Sequence, residues 1–310
     1  MTRSAAAQPA DEKPPWRFRS ATATMARTVA VDLSLLRKSP TAQGWRPTRP
    51  ALQLHRPIFV IGAPRSGTSY LGDAVGRLSG VSYHFEPIAT KYAAQQYATR
   101  DWDAGRTAAY LQLAYRLLLT SRMEWSKRLC DKTPQACFLI DLLAEQFPDA
   151  QFVHIIRDGR DAATSYREKP WLRADSAASR RFEPGGARWG GYPRFWTEID
   201  RRAEFRETTD LHRCIWAWRR FTEEALRQTQ RLPGDRLLEL RYERLVTQPK
   251  ETGAALAEFL GEPGQAAVLI THLVNSARPA SVGRWHSLMP DEQAVFEREA
   301  GSLLDALGYS

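Results

Sequence analysis

The sequence predicts one α/β domain in which helices flank a parallel sheet. Short apolar runs at residues 58–61, 152–156 and 236–242 are typical of buried strands, and each is followed by a segment with helical spacing. Strands that alternate with helices indicate βαβ units and therefore a parallel sheet. A chain of 310 residues is long enough for one large domain with a well-buried core. The sequence contains no internal repeat that would indicate a second domain.

Residues 1–50 are predicted to form an N-terminal arm, partly ordered against the domain that spans residues 51–310. Prolines punctuate the arm, its first dozen residues are expected to be loose, and residues 29–36 could form one turn or a strand. The basic arm could touch nucleic acid, but a poorly ordered terminus is the simpler interpretation.

Composition sets broad limits on function. The chain is 43% hydrophobic and 25% charged, with a formal net charge of +9, which favours an anionic partner such as a nucleotide, an acidic substrate, nucleic acid or a membrane surface. Its cysteines are odd in number and include no CxxC pair, which argues against a zinc site or a disulfide scaffold. No apolar run reaches membrane-spanning length, and the first residues lack the pattern of a secretory signal.

The strand at 58–61 leads into a loop that predicts an anion-binding cradle. Gly62 and Gly67 interrupt regular structure, and helical spacing begins at Ser69. Backbone N–H groups at such a helix start point inward, and the helix dipole adds partial positive charge. Hydroxyl donors and a forked cation complete the cradle: Ser66, Thr68, Ser69 and Arg65.

This loop keeps the glycine spacing of the P-loop pattern G-x-x-x-x-G-K-[ST], but Thr68 stands at the lysine position. An ordinary NTPase would lose its main β/γ-phosphate contact through that change. The glycine spacing of the loop and the alternation of strands and helices together predict a P-loop-NTPase-like parallel sheet flanked by helices, in a single domain. A tight strand-to-helix turn without a ligand is the alternative.

A second polar pattern follows the strand at 152–156. Arg157 ends that strand, and Ser165 comes eight residues later, about two helical turns on. Asp158 or Asp161 can cap the helix between them. Arginine offers a phosphate a bidentate fork, and serine offers a hydroxyl. A strand-end salt bridge from Arg157 to either aspartate is the structural alternative.

The loop APRSGTSYL resembles the 5′-phosphosulfate loop of sulfotransferases, which use 3′-phosphoadenosine-5′-phosphosulfate (PAPS). Cytosolic members carry lysine where Arg65 stands, whereas tyrosylprotein sulfotransferases and many bacterial members carry arginine. In the family, an arginine and a serine at the spacing of Arg157 and Ser165 grip the donor 3′-phosphate. The resemblance runs from about residue 56 to the C terminus.

The resemblance implies a PAPS-dependent sulfotransferase of the EC 2.8.2 type. Such an enzyme moves a sulfuryl group in line to a hydroxyl of a small molecule or glycan, releases 3′,5′-adenosine bisphosphate and needs no metal. Golgi members of the family normally carry a membrane anchor, so its absence leads us to expect a cytoplasmic protein. Nucleic acid is not the expected partner.

The segment GVSYHFEP resembles the family strand that rises toward the acceptor. If residues 81–86 are extended, His84 and Glu86 share a face, because side chains alternate along a strand. A glutamate in this region is the proposed base of heparan sulfate and tyrosylprotein sulfotransferases, and a histidine is the base of cytosolic members. We assign the base to Glu86 and keep His84 in reserve. A strand-end carboxylate paired with an arginine is the structural alternative.

The box CDKTP resembles one that heparan sulfate sulfotransferases place at the active site, where its lysine approaches the transferring group. That role is carried to Lys132. Thr133 could cap a helix that continues to Phe147, with Pro134 at its first position.

A late segment, NSARPASVGRW, resembles the family loop R-x-G-x-x-G-x-W, which clamps the adenosine and the 3′-phosphate. The pattern is degraded here, because Pro279 and Ala280 follow Arg278. The resemblance still assigns donor binding to three residues of this segment, with Trp285 as packing support: Ser281, Gly283 and Arg284.

Residues 170–200 are predicted to form an irregular lid over the acceptor. Their interleaved basic and aromatic residues could instead stack on nucleic acid. The aromatic residues that could line an acceptor pocket are Trp171, Trp189, Tyr192, Phe195 and Trp196.

Two other classes of function remain open at this stage. A P-loop kinase or NTPase would share the cradle, but it would need a lysine at position 68 and a magnesium-binding acid at a strand end. A basic nucleic-acid-binding protein would show a steep salt dependence and would not depend on Arg157.

Overall fold

The computed structural model describes residues 20–36, 54–183 and 185–309. Most of the N-terminal arm, including the first dozen residues that we expect to be loose, lies outside these ranges. Within them, no helix is both long enough and apolar enough to cross a membrane.

The described chain forms one five-stranded parallel sheet, which confirms the predicted fold class. The strands are β1 (Ile58–Ile61), β2 (Val81–Phe85), β3 (Arg128–Lys132), β4 (Gln151–Ile156) and β5 (Leu237–Arg241). Their order across the sheet is β2-β3-β1-β4-β5. The carboxyl ends of β1, β3 and β4 therefore lie side by side, which is where ligands bind in open α/β sheets.

Helices surround this sheet. They are α1 (Ala21–Leu36), α2 (Thr68–Val75), α3 (Ile88–Ala98), α4 (Ala104–Ser121), α5 (Ile140–Gln146), α6 (Gly159–Arg167), α7 (Arg202–Glu207), α8 (Asp210–Thr229), α9 (Tyr242–Thr247), α10 (Pro249–Leu260), α11 (Ala266–Ser276) and α12 (Pro290–Ala306).

Side chains of β1 alternate between two cores because successive residues of a strand point to opposite faces. Ile58 and Val60 pack with apolar residues of α2, α9, α10 and α11. Phe59 and Ile61 pack with the larger core, to which α3, α4, α5, α8 and α12 contribute. Both faces of the sheet are thus covered, as expected for parallel strands.

Three local expectations are wrong. Residues 29–36 belong to the helix α1, not to a single turn or a strand. The strand β3 was not expected, because its sequence RLCDK carries three charged residues, yet Asp131 and Lys132 are fully buried in it. The helix expected after Thr133 is broken, since a 3₁₀ turn at Pro134–Phe138 precedes α5.

The segment 170–200 contains more order than its composition indicated. Its middle forms a 3₁₀ helix at Ala174–Ser179, and an isolated bridge joins Phe182 to Arg188. Arg194 is buried, and its Nη2 donates to the carbonyl of Trp171 at 2.7 Å. The two ends of the segment are therefore tied together.

Glu299 of α12 is the centre of a buried ion-pair cluster. Its carboxylate accepts hydrogen bonds from Arg201 at 2.8 Å, from Arg219 of α8 at 2.8 Å, and contacts His212 at 2.9 Å. Glu204, His212 and Glu299 bring atoms that could ligate a metal within 4.8 Å of one another. Because Arg201 and Arg219 already occupy the carboxylate of Glu299, we interpret this cluster as a joint between helices.

Replacing Glu299 by glutamine is expected to lower the free energy of unfolding by about 2–4 kcal/mol, because Arg201, His212 and Arg219 lose the buried carboxylate that they share. Burial raises the pKa of Glu299, but His212, Arg201 and Arg219 outweigh burial and lower that pKa to about 2. The folded pKa thus lies below the ordinary 4.5, so this stabilisation is present above pH 4.5 and is lost as the pH falls toward 2.

Urea denaturation of the wild type and of Glu299→Gln, at neutral pH and through this acid range, measures the difference. The exposed Glu297→Gln on the same helix is the matched control. A gap between wild type and Glu299→Gln that does not narrow with acid would contradict the assignment.

Candidate active site

The loop between β1 and α2 has the backbone of an anion cradle. Gly67 has φ of 93°, and a Cβ at this position would lie 2.4 Å from the Tyr242 ring. Gly62 has φ of 151°, and a Cβ there would lie 2.4 Å from the carbonyl oxygen of Ile155. Both positions therefore require glycine. Arg65 also adopts a positive φ, 69°, which for a residue with a side chain is often found at functional sites.

Two arginines converge on this loop. The Nη1 of Arg157 donates to the carbonyl of Arg65 at 2.9 Å, and the Nε of Arg65 donates to the Ser165 hydroxyl at 3.2 Å. Burial and the nearby charge of Arg157 lower the pKa of Arg65. Within the described chain, neither guanidinium forms a salt bridge with a carboxylate, so two like charges lie together at the strand ends. The salt bridge from Arg157 to Asp158 or Asp161, considered as an alternative, is not formed.

Polar atoms without hydrogen-bond partners lie in the same place. Among the described residues, the buried hydroxyl of Ser66 and the buried Nε of Arg157 have no partner. Buried polar groups are normally satisfied, so unpaired donors beside a cradle point to a ligand that accepts from them. Thr68 begins α2, and Ser69 follows it with its hydroxyl turned to Lys132 at 3.1 Å.

The late loop closes one side of the cradle. The Nη2 of Arg157 donates to the carbonyl of Ser281 at 2.6 Å, and the Ser281 hydroxyl contacts Tyr242 at 2.7 Å. Of the three late-loop residues predicted to bind the donor, Ser281 therefore lies in the cluster around Arg157. Arg284 instead pairs with Glu168 at 2.6 Å.

Asp161 holds this loop in position. Its carboxylate accepts hydrogen bonds from the backbone N–H of Gly283 at 2.7 Å and of Trp285 at 3.1 Å. Of the two aspartates predicted as a helix cap, Asp158 caps α6, since its side chain accepts a hydrogen bond from the N–H of Arg160. Arg160 in turn lies over the Trp285 ring, 3.8 Å from its centre, which supports the predicted packing role of that tryptophan.

Glu86 lies between two lysines. Its Oε1 is 2.6 Å from Lys132 Nζ, and its Oε2 is 2.6 Å from Lys91 Nζ. The lysine side chains are 0% and 5% exposed, whereas the side chain of Glu86 is 24% exposed. The carboxylate is therefore the accessible member of a buried charge triad.

The charges of the triad act on one another. Burial raises the pKa of Glu86, but Lys91 and Lys132 outweigh burial and bring that pKa to about 2. The pKa of Lys132 is lowered, because burial dominates over its pairing with Glu86. The pKa of Lys91 is raised, because Glu86 outweighs burial. Lys91 thus binds its proton more strongly than Lys132 does.

The backbone separates His84 from Glu86. The strand β2 ends at Phe85, and Glu86 leaves extended geometry with φ of 47°. The expectation that the side chains of His84 and Glu86 share a face is therefore wrong. His84 is fully buried, with Nδ1 2.9 Å from Asp32 and Nε2 2.9 Å from Ser82. Burial lowers the pKa of His84 despite the aspartate. Both ring nitrogens are therefore engaged within the protein.

Asp131 fixes the end of β3. Its carboxylate accepts hydrogen bonds from Thr133 at 2.6 Å, Thr90 at 2.6 Å and Tyr115 at 2.9 Å. The Thr133 hydroxyl is used here and does not cap the following turn, which corrects that expectation, although Pro134 does begin the turn. Because β3 lies between β2 and β1, this anchorage brings Lys132 against both Glu86 and the cradle.

A pocket opens beside Lys91. Lys91 and Tyr166 form part of its wall together with the segment 170–200, whose Gly185 approaches so closely that a Cβ would lie 2.5 Å from Lys91 Cδ. Of the five aromatic residues that we expect to line an acceptor pocket, Phe195 and Trp196 line this pocket. The other three, Trp171, Trp189 and Tyr192, are not among its lining residues.

Comparison with known proteins identifies the group to which this arrangement belongs. The family model described as "Sulfotransferase family" matches residues 57–189 and 192–266, more than half of the chain. The chain belongs to the sulfotransferase family. The match includes the cradle, Glu86, Lys132, Arg157 and Ser165, and it ends before the late loop.

Relatives and structures agree with this family. A protein-tyrosine sulfotransferase of Drosophila melanogaster is 24% identical over 225 residues, and protein-tyrosine sulfotransferase 1 of Danio rerio is 27% identical over 225 residues. These matches take in 68% of this chain but only 39% and 55% of the relatives' own lengths. The sulfotransferase STF9 of Mycobacterium avium superimposes with a TM-score of 0.53 at 14% identity, over 92% of this chain and 83% of its own, and so supports the fold.

Sequence reasoning missed two residues of this candidate site. Lys91 lies in α3, outside every motif, and Asp161 was considered only as a helix cap or as a salt-bridge partner of Arg157. A lysine five positions after Glu86, on a helix whose other residues are all uncharged, was the available signal for Lys91. For Asp161 the local sequence offered no signal, because its partners are more than one hundred residues away.

Proposed function

We propose that this chain transfers the sulfuryl group of PAPS to a hydroxyl acceptor and releases 3′,5′-adenosine bisphosphate. One observation carries the proposal: the half-buried guanidinium of Arg65 and the buried guanidinium of Arg157 converge without a carboxylate partner in the described chain, beside the unpaired Ser66 hydroxyl. Such an arrangement is suited to a ligand with two separate anionic groups. A 3′-phosphate and a 5′-phosphosulfate meet that requirement.

The residues divide into two donor subsites under this proposal. The cradle from Arg65 to Ser69 holds the 5′-phosphosulfate through backbone N–H groups, hydroxyls and the Arg65 guanidinium. Arg157, Ser165 and Ser281 hold the 3′-phosphate. Gly283 contributes through its backbone, which Asp161 holds in position. Arg284 lies at the rim and is paired with Glu168, so it must break this ion pair before it can contact the donor.

The donor supplies an activated sulfuryl group, and the chain's residues manage the proton and the charge. The acceptor oxygen forms a bond to sulfur while the bond from sulfur to the bridging phosphate oxygen breaks, and Glu86 takes the hydroxyl proton. Lys132, already 3.1 Å from Ser69 of the cradle, stabilises negative charge on the leaving oxygen. When Lys132 turns from Glu86 toward that charge, the carboxylate loses one of its two cations, so its pKa rises toward a range useful for a base.

The test is calorimetric titration with 3′,5′-adenosine bisphosphate, adenosine 5′-monophosphate, and ATP with magnesium. We expect the bisphosphate to bind much more tightly than the other two. In Arg157→Ala, the bisphosphate should bind about 10–100-fold more weakly, because a charged hydrogen-bond donor to its 3′-phosphate is lost, while the monophosphate should change little.

The exposed Arg231→Ala is the matched control and should bind all three as the wild type does. Equal losses for bisphosphate and monophosphate in Arg157→Ala would remove the 3′-phosphate assignment. Preference of the wild type for ATP would favour a P-loop kinase instead.

A further inference from the structure

The pocket beside Lys91 contains a cation that the proposed chemistry does not use. Arg194 lines this pocket and is only 6% exposed. Its Nη2 is fixed on the carbonyl of Trp171, but its Nη1 has no hydrogen-bond partner among the described residues. A buried guanidinium N–H left unpaired is unfavourable, so the site favours a ligand that supplies an acceptor.

In the described chain, the other charged residues that line the pocket form no hydrogen bond or salt bridge with Arg194. Lys91 is already paired with Glu86 at 2.6 Å. Glu183 lines the same pocket, yet its carboxylate forms no salt bridge with Arg194 in the described chain. Its charge favours the protonated state of Arg194, which burial opposes. The guanidinium thus keeps an open donor toward the cavity.

Aromatic rings form half of the remaining wall, and Gln95, Gln135, Gly185 and Ala187 form the rest. Tyr166, Phe195, Trp196 and Phe221 line the pocket together with Arg194. Phe195 is held by an edge-to-face contact with Phe138 at 5.1 Å, and Trp196 by one with Phe221 at 6.0 Å. Rings held in this way make a preformed surface for a planar or apolar body.

We propose that the acceptor is an aromatic alcohol or phenol that carries a carboxylate, and that Arg194 binds this carboxylate. The proposal rests on the sulfuryl-transfer function proposed above, since it names the substrate class of that site. The aromatic walls would hold the ring, Arg194 would hold the anionic end, and the hydroxyl would be left toward Glu86 at the Lys91 side of the pocket. An acceptor without an anionic group would leave the Arg194 donor unpaired.

The experiment compares 4-hydroxyphenylacetate with 4-hydroxyphenylacetamide, which has the same ring and hydroxyl but no charge. Both probes are titrated by calorimetry into the full chain saturated with 3′,5′-adenosine bisphosphate, so that binding is read without transfer. We expect the wild type to bind the carboxylate at least about tenfold more tightly than the amide. In Arg194→Gln this preference should fall about 10–100-fold or vanish, and Arg194→Lys should keep part of it.

The ratio between the two probes separates binding from folding. Because Arg194 also holds Trp171, its loss could loosen the segment 170–200, but that would weaken both probes alike. The exposed Arg181→Gln, in the same segment, is the matched control and should keep the wild-type ratio. Equal affinity of the wild type for both probes, no binding of either, or an unchanged ratio in Arg194→Gln would overturn the proposal.

Transfer assays with the same two probes and PAPS distinguish this proposal from the function on which it rests. If the carboxylate preference depends on Arg194 but neither probe is sulfated, the anion site stands and the transfer reaction fails. If both probes are sulfated with equal kcat/KM, the transfer reaction stands and the anion site fails.

Discussion

Replacement of Glu86 by glutamine is expected to slow sulfuryl transfer by about 10²–10⁴-fold, the usual contribution of a general base. Glutamine has nearly the same shape as glutamate but cannot take the acceptor proton. The donor site is formed by other residues, so affinity for 3′,5′-adenosine bisphosphate should remain close to that of the wild type. Single-turnover transfer from PAPS, together with calorimetry of the bisphosphate, measures the two quantities separately.

The pH dependence offers a second check on Glu86. Its pKa in the free protein is about 2, so the base is already ionised at neutral pH, and kcat/KM should show no loss from Glu86 until strongly acidic conditions. Under the proposed function, Lys132 turns toward the leaving oxygen in the donor complex and the pKa of Glu86 rises, so the acid limb of kcat should lie at higher pH than that of kcat/KM.

Glu239→Gln is the matched control for this prediction, because the Glu239 carboxylate also has a basic side chain as its neighbour, with Oε2 3.3 Å from Nδ1 of His154 on β4. Its transfer rate should equal that of the wild type. Near wild-type turnover of Glu86→Gln would assign the base to another group. His84→Gln then becomes the decisive variant, although both of its ring nitrogens are engaged by Asp32 and Ser82.

Replacement of Lys132 by methionine is expected to lower kcat by about 10²–10³-fold, as loss of one preorganised charge-stabilising donor commonly does. Methionine keeps the length and apolar stem of the side chain, which lies against the Phe85 ring with Nζ 3.7 Å from its centre. Glu86 keeps Lys91 as a partner, so the fold and the accessible carboxylate should persist. Thermal unfolding and single-turnover transfer are the measurements.

Lys127→Met serves as the control, because Lys127 is a half-exposed lysine whose only described carboxylate partner is Glu124, at 2.7 Å. It should transfer at the wild-type rate. A stable Lys132→Met with unchanged kcat would show that Lys132 merely balances the charge of Glu86. A loss seen only in KM would place its effect in ground-state binding and not in the transition state.

The fold class and the cradle side of the candidate site could be predicted from the sequence because their information is local. A buried strand, two glycines and a helix start within residues 58–69 specify the cradle backbone. Arg157 at the end of a strand and Ser165 two helical turns later predict the helix α6. These features depend on backbone geometry over a few residues, and the residue types at those positions report it directly.

The surroundings of Glu86 and Lys132 were decided by the tertiary structure. The strand β3 reads as polar in sequence, and only its position between β1 and β2 gives Asp131 and Lys132 the partners that make their burial possible. Alternation along an extended strand would have placed Glu86 on the same face as His84, but Glu86 itself departs from strand geometry.

Long-range contacts also assigned the residues that sequence patterns did not reveal. Lys91 pairs with Glu86, Asp161 holds a loop more than one hundred residues away, and Arg194 faces a pocket whose walls come from separate elements. The sequence by itself therefore determined the α/β class, the cradle and the strand-end arginine. Which charges face one another, and which remain unpaired, was decided only when the sheet brought distant segments together, because burial and pairing depend on neighbours that are remote along the chain.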